Sequence, residues 1–150
     1  MHILLAGIPA TGKSTFADWL VDLHAYTRCP TGREPGAAFF SEVEATRARH
    51  ADVVIDWGFP VAQLPIVGRW VDGGVEPWWF DGDRDAALEV FLGRRGHPAT
   101  RADWDRQMGD IDEHWQEIQG VFGDRILQVV RPGPTFMSNE ERYAVVVPSD

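Results

Sequence analysis

Two hydrophobic rhythms alternate along the chain. Short apolar runs at 2–6 ("HILLA"), 52–56 ("DVVID"), 75–80 ("VEPWWF") and 125–130 ("RILQVV") have the length and the β-branched or aromatic content of strands. The run "AAFF" at 37–40 is a fifth, shorter strand candidate. Between these runs apolar residues recur every three or four positions, which predicts helices over about 13–25, 41–50, 60–72, 83–95 and 101–119. In the first of them Phe16, Trp19, Leu20 and Leu23 share a face. In the last, Trp104, Met108, Ile111, Trp115 and Ile118 form a stripe, best read as a face packed on a sheet. Near the C-terminus "SNEERYAVVV" starts with a capping-box pair, Ser138 and Glu141, so a closing helix or a last edge strand follows.

Strands that alternate with helices predict an α/β fold: about five strands in a mainly parallel sheet, helices on both faces. The short "VVI" and "ILQVV" runs suit strands buried on two sides. At 150 residues, without repeats or a low-complexity linker, the chain reads as one domain over 1–150. A hydrophobic content of 44% with seven tryptophans points to a folded globule. No run approaches the roughly 18 apolar residues of a membrane span, so no membrane contact is expected. Cys29 stands alone and forms no internal disulfide, which fits a cytoplasmic setting. The net charge of −9 argues against long-range attraction to a polyanion, although a local arginine-lined groove could still hold one. No obligate protein partner is inferred.

One stretch carries sharper chemistry. "GIPATGKST" at 7–15 places Gly7, Gly12, Lys13 and Ser14 at the fixed positions of G-x-x-x-x-G-K-[ST], between a predicted strand and a predicted helix. In such a loop, backbone N–H groups turn inward around phosphate oxygens and the following helix N-terminus adds a favourable dipole. Gly7, Ala10, Thr11, Gly12, Lys13, Ser14 and Thr15 are therefore the candidate nucleotide-binding residues. Lys13 would reach the β- and γ-phosphates and Ser14 would ligate Mg²⁺, which makes ATP and Mg²⁺ the expected cofactors. Lys13 is also the only lysine; the other basic residues are arginines, whose planar fork cannot act as a compact point charge.

Two classes of phosphate-loop protein are excluded. A GTPase needs a second lysine in its guanine-reading motif, and none exists. Hydrolytic motors place an acidic pair at the end of the second key strand, whereas here "VVIDWGF" puts Trp57 after Asp56. A small kinase remains, with Asp56 at a strand C-terminus, holding metal or accepting the acceptor's proton. Trp57 and Phe59 either wall the acceptor or belong to the core. Downstream, "FLGRRGHPATRADWDRQM" sets Arg94, Arg95, Arg101 and Arg106 around a Gly-His-Pro break. These suit a lid over about 94–108 whose arginines clamp the transferring phosphoryl group. Arg94, Arg95 and Arg101 are the catalytic candidates beside Lys13 and Asp56, and His97 could touch phosphate from the lid turn.

Taken together, "GIPATGKST", "VVIDWGF" and "FLGRRGHPATRADWDRQM" resemble the small P-loop kinases related to polynucleotide kinase, chloramphenicol phosphotransferase and zeta toxin. The likeness spans about residues 1–130. It implies transfer of the ATP γ-phosphate to a hydroxyl, with a nucleoside or nucleic-acid acceptor (a single strand or a flipped base) favoured by the polynucleotide-kinase-like lid. The small size is similar to that of phage kinases acting on hydroxymethylated pyrimidines, which implies 5-hydroxymethyluracil in DNA as a specific acceptor. Alternatives are a small-molecule hydroxyl (antibiotic or metabolite), a nucleoside monophosphate, or a nucleotide-binding module without turnover. The chain departs from the family where an aspartate base normally follows the second strand. Residues 26–44 offer only Glu34, Glu42 and Glu44, so one of these or Asp56 takes that role.

Overall fold

A computed structural model describes residues 1–29, 37–58, 61–94 and 99–149. Strand β1 (His2–Gly7) leads through the glycine-rich loop into α1 (Lys13–His24), then β2 (Thr27–Cys29), α2 (Ala37–Arg49) and β3 (Val53–Asp56). A 3₁₀ turn (Val61–Gln63) precedes α3 (Leu64–Asp72) and β4 (Val75–Gly82). Next come α4 (Arg84–Leu92), α5 (Arg101–Glu113), α6 (Trp115–Phe122), β5 (Ile126–Arg131), β6 (Thr135–Phe136) and α7 (Asn139–Val146). They build one six-stranded sheet in the order β2-β3-β1-β4-β5-β6. All pairings are parallel except β5 with the two-residue β6, where Val130 faces Phe136 and Arg131 faces Thr135. That terminal hairpin makes six strands where the apolar runs predict five.

The strand pleat divides the core into two layers. Leu4 and Ala6 of β1 and Val53 and Ile55 of β3 face Phe39, Val43, Val67, Trp70, Phe91, Trp104, Met108 and Ile118. Ile3, Leu5 and Val54 face the other way, onto Phe16, Ala17 and Leu20 of α1 and Val146 of α7. The central strand is thus buried on both faces, as its unbroken apolar run requires.

Three elements differ from the hydrophobic pattern. Residues 37–40 open α2 instead of forming a strand, and Phe39 and Val43, four apart, bury together as a helix demands. The strand in that part of the sheet is the three-residue β2, with Cys29 buried beside Ile55 of β3. The stripe over 101–119 does pack on the sheet, but on two helices: α5 ends at His114, whose ring Nδ1 and backbone N both meet the Asp110 carbonyl. At the C-terminus, where the sequence leaves a helix or an edge strand open, Ser138 caps a helix, its hydroxyl accepting the Glu141 N–H at 3.1 Å.

Candidate active site

The loop between β1 and α1 takes its shape from three unusual backbone positions. Gly7 has φ +146°, and a Cβ there would lie 2.1 Å from the Phe80 carbonyl oxygen, so β4 approaches too closely for any side chain. Ala10 and Gly12 are left-handed, at φ 65° and 78°. Such turns in short succession direct N–H groups to one side and form an anion-binding concavity. Inside the loop the Ile8 carbonyl accepts from the Thr11 hydroxyl at 3.0 Å and from Lys13 Nζ at 2.8 Å. Lys13 also reaches Thr11 Oγ1 at 3.3 Å, leaving its third N–H for an incoming phosphate.

Register brings the carboxylate to this loop. Leu5 of β1 pairs with Asp56 of β3, so the last residue of β3 lies beside the start of the loop. Ser14 Oγ donates to Asp56 Oδ2 at 2.8 Å, and Asp56 is 5% exposed. Arg28, from β2, donates to the same oxygen and also to Asp18 of α1. Oδ1 of Asp56 carries no hydrogen bond among the described residues. A hydroxyl and a carboxylate this close fit a Mg²⁺ ion, which prefers oxygen ligands and retains most of its water. Among the described residues no cluster of three or more His, Cys, Asp or Glu offers a self-sufficient metal cage. Any metal here would therefore complete its shell with water and phosphate oxygens.

Electrostatics at the loop are dominated by crowded cations. Burial pulls the Lys13 ammonium down to about 8; Arg94 and Arg142 push the same way and Asp56 opposes them. Burial also lowers the Arg142 guanidinium, to about 10, and lowers that of Arg94. Two cavities meet over this charge. One, of about 360 Å³, runs from the loop residues 9–15 past Asp56, Trp57 and Gly58 to Phe91, Arg94 and Gln107. The other, of about 460 Å³, lies between the loop and Val90, Phe136, Met137, Ser138, Asn139 and Arg142. Ala10, Gly12, Thr15 and Arg94 belong to both.

The residues expected from the sequence are partly gathered here. Gly7, Ala10, Thr11, Gly12, Lys13, Ser14 and Thr15 form the loop, and Asp56 and Arg94 stand on the first cavity. Arg94 leaves the end of α4 with its guanidinium 5.7 Å from the Phe91 ring. Arg101 is placed elsewhere: it lines neither cavity and pairs with Asp105, both side chains about two-thirds exposed (67% and 63%). Arg106 pairs similarly with Asp103. Arg95, His97, Phe59 and Glu34 lie outside the described residues. Glu42 and Glu44 are exposed on α2 and line neither cavity, so Asp56 is the carboxylate that the described chain brings to the site. Trp57 is 3% exposed, one edge on the cavity and its body packed among Phe39, Phe40 and Trp70 at 5.3 to 5.8 Å.

Pattern reasoning missed three participants: Arg28, Gln107 and Arg142. Arg28 lies in a strand too short to show alternation. Gln107 flanks the α5 stripe between Trp104 and Met108, where a polar residue usually marks the solvent border. Arg142, in "NEERY", sits in a polar stretch that gives no hint of its burial at 3% exposure.

No family model and no curated protein matches the sequence. Among solved structures the chain is similar to the crystal structure of a gluconokinase from Sinorhizobium meliloti 1021, with a TM-score of 0.59. The identity is 14%, and the superposition covers 93% of this chain and 85% of that one. The chain has the P-loop kinase fold. None of its helices is long and apolar enough to cross a membrane, among the described residues.

Proposed function

We propose that this chain is an ATP-dependent phosphotransferase with a hydroxyl acceptor. The carrying observation is the single cavity that holds Lys13, the Ser14–Asp56 pair and Arg94 together. A phosphate chain laid in the loop would meet inward N–H groups and the third donor of Lys13, with Arg94 over its far end. When bound, Mg²⁺ supplies charge neutralisation across the β- and γ-phosphates, and Ser14 and Asp56 are the residues that would hold it. In the reaction the acceptor oxygen forms a bond to the γ-phosphorus while the bond to the β,γ-bridging oxygen breaks and ADP leaves. With the metal on Ser14 and reaching Asp56 only through water, Asp56 Oδ1, which neither Ser14 nor Arg28 engages, is the oxygen that would take the hydroxyl proton. The protein contributes positioning and charge, with no covalent intermediate.

The second cavity suits the nucleotide base. It is mostly apolar, adjoins the loop, and is rimmed by Phe136, Met137 and Arg94. At the acceptor end stand Trp57, Phe91 and Gln107, two rings and a neutral amide. That wall favours an acceptor with a flat, uncharged body, as a nucleoside or an extruded base in a nucleic acid has. Such an acceptor agrees with the likeness of the lid sequence to polynucleotide kinases. The gluconokinase fold likeness supports a second reading, a small-molecule hydroxyl.

The test is transfer from γ-labelled ATP with Mg²⁺. Acceptors would be single- and double-stranded DNA with and without 5-hydroxymethyluracil, RNA, nucleosides, nucleoside monophosphates, gluconate and chloramphenicol. Label on one acceptor, lost in Asp56→Asn while ATP still binds, is the expected result. ATP binding that survives in that variant, with no acceptor labelled by wild type, would make the chain a nucleotide-binding module.

A further inference from the structure

Arg142 sits far from the loop in sequence and against it in space. It is buried on α7, and its guanidinium divides its donors between two walls. Nη1 donates to the Thr11 carbonyl at 2.7 Å, inside the phosphate loop. Nε donates to the Met137 carbonyl at 3.0 Å, in the lining of the second cavity. The same group lies over the Phe80 ring at 5.2 Å, and a Cβ on Gly12 would come within 3.2 Å of Nη1. The second glycine of the motif therefore leaves room for this arginine as well as permitting a left-handed turn.

The consequence follows from peptide geometry. A trans peptide is planar, with its C=O and N–H antiparallel, and Gly133–Pro134 is the only cis bond among the described residues. Fixing the Thr11 carbonyl toward Arg142 fixes the Gly12 N–H toward the opposite side, where the loop is concave. We propose that Arg142 is a positioning residue that couples the base cavity to the phosphate loop. An occupant packed on the Met137 wall restrains the carbonyl to which Nε already donates, and through Nη1 restrains the Thr11–Gly12 peptide of the loop. Ordering shared in this way makes the two halves of a nucleotide bind cooperatively. The inference rests on the phosphotransferase reading, in which one nucleotide fills both cavities.

The experiment separates the two halves. Tripolyphosphate with Mg²⁺ is titrated into wild type by calorimetry, with and without saturating 5′-deoxyadenosine, which carries the base but no 5′-hydroxyl. The expected result is tripolyphosphate bound about fivefold or more tightly when the nucleoside is present, the low end of ordinary coupling between sites. In Arg142→Lys, which keeps a charge but cannot span both carbonyls, tripolyphosphate alone binds more weakly than to wild type and the enhancement by the nucleoside disappears. Circular dichroism and a thermal melt establish that this variant is folded. Should it not fold, the wild-type titration decides by itself. Enhancement below about twofold in wild type, or retained in a folded Arg142→Lys, overturns the coupling and leaves the kinase reading standing. No binding of tripolyphosphate to wild type overturns the kinase reading, and the coupling with it.

Discussion

Lys13 is the residue at which function and stability oppose each other. Its ammonium is held at about 8 by burial beside Arg94 and Arg142, against 10.5 for a free lysine. Keeping it protonated in the fold is therefore costly below pH 8, and the cost fades as pH rises toward 10.5. Lys13→Met should stabilise the free protein at pH 7 by at most about 2 kcal/mol, the shift less the two lost hydrogen bonds. Urea unfolding at pH 7 and pH 10 should show that gain shrinking at the higher pH. The same substitution should lower phosphoryl transfer by about 10²-fold or more, as removal of an oxyanion donor does. Phosphate ligands need the charged form, so wild-type affinity for tripolyphosphate should fall as pH rises through about 8. Lys13→Met should show no such fall in that range. A variant neither more stable nor flat with pH would mean that the lysine lies in water.

At the scale of elements, the sheet position of β2 decides what Asp56 can do. Pairing of Arg28 with Val54 carries the arginine to the C-terminal edge of the sheet, where its guanidinium meets the carboxylate that Ser14 also holds. Guanidinium and metal would share one anion. Arg28→Gln should therefore lower the Mg²⁺ concentration for half-maximal transfer by about three- to tenfold, a modest figure for a partly exposed pair. An unchanged Mg²⁺ requirement would show that the ion pair opens before metal arrives. The sequence could not announce this contact. Elements became legible where a motif and a hydrophobic period coincided, as in β1, the loop, α1 and the end of β3. Three residues carry no period, so β2 was invisible, and "AAFF" suited either element until the burial of Val43 with Phe39 settled it as helix. Arg142 and Arg28 gain their roles from partners 131 and 28 positions away, which no local pattern encodes. Arg101 is the converse case. Its place beside a glycine-rich break reads as a clamp, and in the structure it pairs with Asp105, four residues on, on the helix surface.

For the whole molecule the open choice is the acceptor, and charge bears on it. A chain of net charge −9 repels anionic acceptors at long range unless the site itself offers cations. Of the described cations near the first cavity, Arg28 is held by two carboxylates, and in the proposed reaction Lys13 and Arg94 are taken by the phosphates of the nucleotide. What faces the first cavity at the acceptor end is Trp57, Phe91 and the Gln107 amide, which makes no hydrogen bond with any described residue. Behind Trp57 the rings of Phe39, Phe40 and Trp70 back the indole in edge-on and tilted contacts. Specificity should then fall to the amide, whose donors and acceptor can read a polar edge of a flat acceptor. Gln107→Ala should raise the acceptor KM by about tenfold, the worth of one or two neutral hydrogen bonds, and leave the ATP KM unchanged. Steady-state kinetics with each substrate varied in turn make the distinction. A rise in the ATP KM instead would put Gln107 on the nucleotide, and no change in either would move the acceptor to the far side of Arg94.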